Sequence, residues 1–427
     1  MSAPRLPYHG TPRSGEGARG AALLPMNRLA FFSAPHRVMF LAGTVQALLA
    51  MAWWTAVLAL RVAPAQFAAM APAPLPPTWA HAALMTYGMF PFFIFGFVMT
   101  AMPRWQGAAA VSQRRYLPAF LLMVIGWVLF YGGLWALPLL PAAMALVLLG
   151  WLVAVADVWR VVRHPNPDRR HALVVFAALG AGILGLAIWG ALFLGADARC
   201  ATVASAIGVW WLLLPVFVTV AHRMIPFFSS AVLPNYTLVR PYWALYVILA
   251  AAAVHGSLAA MQVPQWSWLV DLPAAATAFY LTAQWGLRRS FAVRLLAMLH
   301  VGFVWLGIAF TLHGVDSMLR LATDASPLGL APLHALSIGF FATMLIAMAS
   351  RVTLGHSGQP LAADRITWWI YVAIQGVAVL RVTAELSGAA LTHLSLLAAL
   401  AWLTVFGVWF GKFAPAYWRA RADGRPG

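Results

Sequence analysis

Histidine is the residue type that offers the most chemistry in this chain. The 427 residues include 12 histidines and 17 methionines but one cysteine, Cys200. A single cysteine excludes an internal disulfide, a cysteine-rich zinc or iron–sulfur site, and covalent attachment of a c-type haem. Any haem or metal ion would therefore be held by imidazole nitrogens, with methionine sulfur as a second soft donor.

The elements that must position these histidines are membrane-spanning helices. Hydrophobic residues make up 63% of the chain, charged residues 9%, and the mean hydropathy is +0.83. A soluble protein of this length needs more polar surface, so the composition predicts an all-α polytopic protein in a lipid bilayer. Apolar stretches long enough to cross occur at twelve places: 38–60, 82–102, 117–137, 139–159, 172–195, 202–222, 242–261, 266–286, 294–313, 332–350, 366–386 and 394–411.

The basic residues predict the side on which each loop lies. With the N-terminus in the cytoplasm, the cytoplasmic loops and the two tails hold 23 of the 27 basic residues. The remaining four are Arg61, Arg199, Arg320 and Arg381. By the positive-inside rule, both termini are cytoplasmic. The net charge of +17 is therefore a topology signal, and no binding to nucleic acid is predicted.

The chain divides into three predicted regions. Residues 1–36 form a basic cytoplasmic tail that is predicted to be disordered, 37–413 the twelve-helix membrane domain, and 414–427 a cytoplasmic C-terminal tail. No internal repeat is evident in the sequence. There is no P-loop, no G-x-S-x-G, no H-E-x-x-H and no adjacent His-His pair, so no catalytic constellation is evident and enzymatic activity is left open.

The topology sorts the helix histidines by depth. The outer group contains His81, His255, His313, His334 and His393. The inner group contains His36, His222, His300 and His356. Ligands on different helices converge at one depth in bis-histidine haem sites and in His-rich copper sites, so two groups predict two sites. A histidine near a helix end also commonly anchors at the interface, whereas His300 lies about two turns inside its helix, where an ionisable side chain is costly.

Five stretches resemble the NnrS family of bacterial inner-membrane proteins. They are SAPHRVMFLAG (33–43), GFVMTAMPRWQG (96–107), HRMIPFFS (222–229), LLAMLHVGFVWLGIAF (295–310) and HALSIGFFATMLIAMASRVTLGHSGQPL (334–361). They follow the family order and cover most of the chain, and the block around His356 is highly specific. The resemblance implies twelve transmembrane helices in the bacterial inner membrane, non-covalent b-type haem, copper, and a role in the response to nitric oxide in nitrosative stress and denitrification.

The resemblance also implies site residues. The family histidines fall on His81, His300, His334 and His356, with Arg351 beside the last. The expected haem-binding residues are His81, His334, His300 and Arg351. The expected metal-binding residues are His222, His300, His356 and His81. Together these predict an outer site and an inner site, the inner one built from His300, His222 and His356.

Three further points remain open at the level of sequence. Arg351 either pairs with a haem propionate, since a guanidinium matches a carboxylate, or only marks the cytoplasmic end of its helix. Where the family carries a second histidine and a glutamate in its second helix, this sequence has Ala83 and Leu84. The alternative functions are a transporter with metal-free histidines in its pathway and an assembly partner of a respiratory complex.

Overall fold

The computed structural model describes residues 28–64 and 75–424, and the regular elements in these ranges are helices. Two helices of four residues, Arg28–Phe31 and Leu287–Ser290, accompany the long ones. The long helices are α1 (Pro35–Val62), α2 (Pro77–Gln106), α3 (Gln113–Gly133), α4 (Leu139–Val162), α5 (Arg170–Phe193), α6 (Arg199–Val232), α7 (Tyr242–Ala260), α8 (Trp268–Gln284), α9 (Arg294–Thr323), α10 (Ala331–His356), α11 (Arg365–Ala384) and α12 (Leu391–Trp418).

Local sequence signals mark several of the helix ends. Pro35 and Pro77 begin α1 and α2, where the missing N–H and the fixed φ of proline are favourable. Helix α2 ends at Gly107, whose φ of 68° is the left-handed conformation that commonly closes a helix. Asp364 caps α11 by accepting the backbone N–H of Thr367. Between such ends, the apolar runs form the helices that hydropathy predicts.

Among the described residues, eleven helices are long and apolar enough to cross a membrane. Helix α8 has 17 residues and is shorter than the others, but the contacts at its ends show that it crosses as well. Asp271, near its start, contacts His255 near the end of α7. Trp285, just after its end, donates its indole N–H to the carbonyl oxygen of Val239, just before α7. Helix α8 therefore runs antiparallel to α7 over the same depth.

The start of α1 and the end of α12 lie at the same face of the bundle. The Arg37 guanidinium donates to the carbonyl oxygen of Arg419 at 2.8 Å. The rings of Phe31 and Trp418 stack with their centroids 4.1 Å apart. A chain whose ends share a face crosses an even number of times. The all-α bundle is therefore confirmed, and an even number of crossings fits the eleven long apolar helices together with α8.

The predicted tails are partly helical. Residues 1–27 of the tail predicted as disordered lie outside the described residues, but Arg28–Phe31 is a helix and α1 begins at Pro35. At the other end, α12 continues to Trp418, past the predicted boundary at residue 413. The reason is packing, because the stacked rings of Phe31 and Trp418 bury apolar surface that a free tail would leave exposed.

The twelve helices form three units of four, a repeat that the sequence does not reveal. In each unit the first helix packs on the second, and the third packs on the fourth. The last helix of each unit packs on the first helix of the next, so that α4 contacts α5, α8 contacts α9, and α12 contacts α1. The three units therefore close into a ring.

The second helices of the three units, α2, α6 and α10, meet at the centre. The most apolar window of α2 is 83% buried and that of α10 is 72% buried, against 28% for α1. Each central helix contains a π-helical segment: Leu84–Met89, Ile207–Leu213 and Ala335–Ala342. These segments begin 123 residues (84 to 207) and 128 residues (207 to 335) apart. These two intervals define equivalent positions in the three units.

Residues related by these same intervals line a central apolar cavity of about 60 Å³. Three sets of equivalent positions line it: Phe93, Val216 and Met344; Ile94, Phe217 and Leu345; Phe97, Val220 and Met348. Equivalent positions share their geometry but carry different apolar side chains. The repeat is therefore visible in the packing and hidden in the sequence.

Candidate functional site

The two residues predicted for the outer site, His81 and His334, lie near the starts of α2 and α10 and interact electrostatically. The His81 ring stacks on the Trp54 indole with centroids 4.3 Å apart. Its Nδ1 is buried and has no hydrogen-bond partner among the described residues. Nδ1 of His334 lies 2.9 Å from the carbonyl oxygen of Leu330 and must donate to it. Nε2 of His334 therefore keeps a free lone pair, as a metal-ligating histidine requires.

Charged groups surround this outer pair on two sides. Arg381 of α11 interacts with both imidazoles and forms an ion pair with Glu385 at 2.5 Å. Arg61 lies over the Trp54 ring at 5.3 Å. Ala83 and Leu84, which replace the histidine and glutamate of the family pattern, are fully buried apolar residues. This part of α2 therefore offers His81 as its ligating side chain.

His356, predicted for the inner site, pairs with His36 at the start of α1. The two ring centroids are 4.6 Å apart. The Thr100 hydroxyl oxygen lies 3.4 Å from Nδ1 of His36, and the Arg421 guanidinium donates to the His356 carbonyl oxygen at 3.2 Å. Three guanidinium groups act electrostatically on both rings: Arg37, Arg104 and Arg421. The segment after α12 thus covers this histidine pair.

His222, also predicted for the inner site, pairs with His171 of α5. Nε2 of His222 lies 3.1 Å from the carbonyl oxygen of Pro241 and must be the donor. Nδ1 of His222 then accepts a hydrogen bond from Nε2 of His171 at 3.0 Å. Nδ1 of His171 is buried without a partner among the described residues. The pair is therefore a chain of two neutral imidazoles that ends in a free lone pair.

A charged loop lies beside this pair, at the inner face. The Tyr242 hydroxyl donates to the carboxylate of Asp168 at 2.5 Å, and the Arg170 guanidinium lies 4.4 Å from the centre of the Tyr242 ring. Burial raises the pKa of Asp168, but the hydrogen bonds from Tyr242 and from the Arg170 backbone N–H outweigh burial and hold the pKa below its usual value. Asp168 therefore keeps its negative charge at neutral pH next to the histidine pair.

The third predicted inner residue, His300, has a different environment again. Its buried ring lies within α9, and Nε2 is 3.0 Å from the Ser229 hydroxyl. Arg351 lies over the ring of the neighbouring residue, Phe228, at 3.7 Å. Arg351 thus lies beside the segment of α6 that contacts His300, whereas His222 and His356 each pair with another histidine. The assignment of these residues as ligands stays a prediction.

A second outer cluster lies outside the predicted set. His255 of α7 donates from Nδ1 to both carboxylate oxygens of Asp271, at 2.8 and 3.0 Å. The ring of His313, from α9, has its centroid 4.8 Å from that of His255. Trp210 stacks on His255 with centroids 3.6 Å apart. The cluster therefore contains two imidazoles, one carboxylate and one indole.

The ring geometry indicates what the contacting pairs can hold. A metal ion bonds an imidazole nitrogen at about 2.0–2.1 Å, which puts the ring centre about 3.2 Å from the metal. Two rings on opposite faces of a haem iron would then be about 6.4 Å apart. The pairs His36–His356, His171–His222 and His255–His313 have centroids 4.6, 5.3 and 4.8 Å apart. The distances in His36–His356 and His255–His313 suit adjacent positions on one ion, whereas His171 and His222 are joined by a direct hydrogen bond.

Larger clusters are absent from the part of the chain that the structure describes. Within residues 28–64 and 75–424, no group of three or more His, Cys, Asp or Glu residues has the arrangement to hold a metal ion. Any ion held by these pairs would therefore need water, another small ligand or a methionine to complete its coordination.

Comparison with known protein families decides the affiliation of the chain. The family model described as NnrS protein matches residues 30–421. The chain belongs to the NnrS family. No individual curated protein gives a significant match. The three-unit bundle and its paired histidines are therefore the architecture of this NnrS-family chain.

Sequence reasoning missed several of the paired residues in this NnrS-family protein. His36 lies inside a matched block, SAPHRVMFLAG, so that its position was available as a signal. His255 and Asp271 flank a short loop between two helices, and both therefore had to lie at the outer face. His171 gives no comparable signal, because it looks like a loop residue and becomes buried only when α5 packs against α6.

Proposed function

We propose that this NnrS-family protein is a bacterial inner-membrane protein that binds haem and copper and acts in the response to nitric oxide. One observation carries the proposal: six histidines of the membrane helices form three contacting pairs, each from two different helices. The pairs are His36–His356, His171–His222 and His255–His313, and His81 and His334 interact electrostatically at the starts of α2 and α10. Ionisable side chains are costly within a membrane, and interfacial anchoring does not require them to pair.

The donor chemistry of these pairs fits the proposed groups. Neutral imidazoles with a buried free nitrogen suit haem iron and copper, and the hydrogen bond from His334 to Leu330 fixes its tautomer. We assign haem to His81 and His334, because each keeps a ring nitrogen free for ligation, whereas the central cavity of about 60 Å³ is far smaller than a porphyrin. When bound, haem iron would supply a binding position for nitric oxide if one of the two imidazoles were displaced.

On the inner side, the residues fit two roles. The pair His36–His356 has the adjacent geometry that copper ligation needs, whereas the His171–His222 chain offers one free nitrogen, Nδ1 of His171. Arg351 lies beside the Phe228–Ser229 segment that holds His300, and there its guanidinium is placed to meet an anionic group such as a propionate.

The central cavity supports a role for a small uncharged molecule. Its lining is entirely apolar, so it favours a dry interior over water. Nitric oxide is an uncharged diatomic molecule that crosses apolar regions, and a cavity of this size accommodates a diatomic molecule. We propose that this cavity holds nitric oxide between the two faces of the bundle.

The first test is an absorption spectrum of the purified protein in detergent, reduced minus oxidised, with and without nitric oxide. We expect a b-type haem spectrum that shifts with nitric oxide and that is lost in His334→Ala and His81→Ala. The matched control is His393→Ala, because His393 is an exposed histidine at the start of α12. A colourless protein after expression with ample haem would overturn the proposal and favour a transporter with metal-free histidines.

A further inference from the structure

The outer cluster around His255 has a feature that the proposed haem and copper residues do not use. Asp271 is fully buried, and both of its carboxylate oxygens face Nδ1 of His255. A buried carboxylate needs a compensating positive charge or several donors, and His255 is its hydrogen-bonding side chain among the described residues. Asp271 therefore relies on one side-chain donor, Nδ1 of His255, for both of its oxygens.

The carboxylate also fixes the orientation of His255. Because Nδ1 donates to Asp271, Nε2 points away from the carboxylate and carries the lone pair of the neutral ring. A carboxylate that holds the second nitrogen of an imidazole is the usual support of a metal-ligating histidine. His255 thus has the orientation and the basicity of a metal ligand.

His313 supplies a second nitrogen in the right place. Its Nε2 is buried and has no hydrogen-bond partner in the described part of the chain. The rings of His313 and His255 are 4.8 Å apart at an interplanar angle of 79°. With each ring centre about 3.2 Å from a shared ion, this separation corresponds to an angle of about 100° at the metal. Such an angle lies between square-planar and tetrahedral ligation.

Trp210 closes one side of the cluster. Its indole stacks on His255 and meets the His313 ring edge-on, with centroids 5.0 Å apart. Trp210 belongs to the π-helical segment Ile207–Leu213, and such segments commonly lie at functional sites. This apolar wall restricts the access of water to the two imidazoles.

We propose that His255 and His313 bind one divalent first-row transition-metal ion through their Nε2 atoms, with Asp271 as the positioning carboxylate of His255. Among such ions, Cu²⁺ should bind most tightly to a site with nitrogen donors. The ion adds positive charge beside the buried carboxylate, and small ligands such as water complete the coordination. This site is additional to the haem and copper residues of the proposed function.

The test uses the full-length protein in detergent, stripped of metal by a chelator and titrated with Cu²⁺ alone. Equilibrium dialysis counts the bound ions, and electron paramagnetic resonance reports nitrogen ligation. We expect His255→Asn and His313→Asn each to lower the bound copper by one ion per chain. Asp271→Asn should keep the ion but weaken its binding about 10- to 100-fold, because the ring loses its support. His393→Asn, an exposed histidine, should change neither quantity.

A second measurement protects the test against variants that misfold. Cu²⁺ should raise the melting temperature of the wild type, and this increase should be smaller in His313→Gln. The copper lost in His36→Asn or His356→Asn should be additional to the ion lost in His313→Asn. An unchanged copper count in both His255→Asn and His313→Asn would overturn the proposal and leave a hydrogen-bond network. The haem spectrum of His255→Asn and of His313→Asn should be unchanged, which separates this site from the proposed function.

Discussion

The contact between Gly185 of α5 and Tyr87 of α2 should be one of the least tolerant points of the bundle. Tyr87 is fully buried in the first π-helical segment and donates its hydroxyl to the carbonyl oxygen of Ala204 at 2.6 Å. A methyl group at residue 185 would overlap this hydroxyl and lie 2.7 Å from Cζ of the ring. In Gly185→Ala, the Tyr87 ring must therefore move and give up its hydrogen bond.

The expected cost follows from three contributions. Overpacking a tight core typically costs about 1–3 kcal/mol. The lost hydrogen bond inside a membrane protein adds roughly 0.6–1 kcal/mol. Replacing glycine by alanine within a helix returns at most about 1 kcal/mol. Gly185→Ala should therefore lower the free energy of unfolding by about 1–3 kcal/mol, whereas Tyr87→Phe alone should lower it by roughly 0.6–1 kcal/mol.

The assay is equilibrium unfolding in mixed micelles for both single variants and the double variant Gly185→Ala/Tyr87→Phe. Removing the hydroxyl takes away the nearest colliding atom, so the double variant should be less destabilised than the two single variants added together, by about 1 kcal/mol. The matched control is Gly376→Ala, an exposed helix position with open space around it. Additive single variants, or a Gly185→Ala protein as stable as Gly376→Ala, would refute the packing argument.

Two further predictions concern the inner face. Burial raises the pKa of Asp364, but hydrogen bonds from Lys412 and Thr367 lower it to about 2, against 3.8 for an ordinary aspartate. The ionised Asp364 therefore stabilises the fold fully above about pH 4, and this stabilisation disappears as the pH falls towards 2. In Asp364→Asn, the melting temperature should fall less steeply between pH 4 and pH 2 than in the wild type. An equally steep fall in both proteins would contradict this. Arg37→Met removes the hydrogen bond to the Arg419 carbonyl oxygen, and hydrogen exchange of the segment after α12 should speed up by about tenfold, as loss of a charged hydrogen bond predicts. Equal exchange in Arg37→Met and the wild type would contradict this role.

Hydropathy and charge were sufficient to predict the number of crossings, because both depend on local composition. They also predicted that His81 and His334 lie at the same depth, since both residues lie near the starts of helices at one face of the bundle. Helix α8 illustrates the limit, because its 17 residues place it below the usual length of a crossing. Its crossing follows from the shared face of Arg37 and Arg419, a contact between the two ends of the chain.

The grouping of the inner histidines could not be predicted, because it depends on which helices are neighbours. Depth alone put His222, His300 and His356 into one group, whereas the ring of units puts α10 beside α1 and α6 beside α5. The π-helical segments were equally hidden, since Leu84–Met89 and Ala335–Ala342 have no distinctive residue types. Their shared register appears only when the three central helices are compared in space.

That register gives a physical meaning to the pair of His36 and His356. At one inner junction between units, Arg223 lies over the Trp105 ring at 4.8 Å. At the next, Arg351 lies over the Phe228 ring at 3.7 Å. Both partners advance by the intervals of the repeat, 128 residues from 223 to 351 and 123 residues from 105 to 228.

At the third junction between units, different residue types occupy the equivalent positions. The equivalent positions there are Thr100, in place of the arginine, and His356, in place of the aromatic ring. The gap that a guanidinium would fill is occupied by His36, which contacts both residues. Two of the three junctions are thus filled by an arginine over an aromatic ring, and the third is filled by two imidazoles. Because arginine satisfies the packing at the other two junctions, packing alone does not require the histidines at this one, which supports the proposal that they bind a ligand.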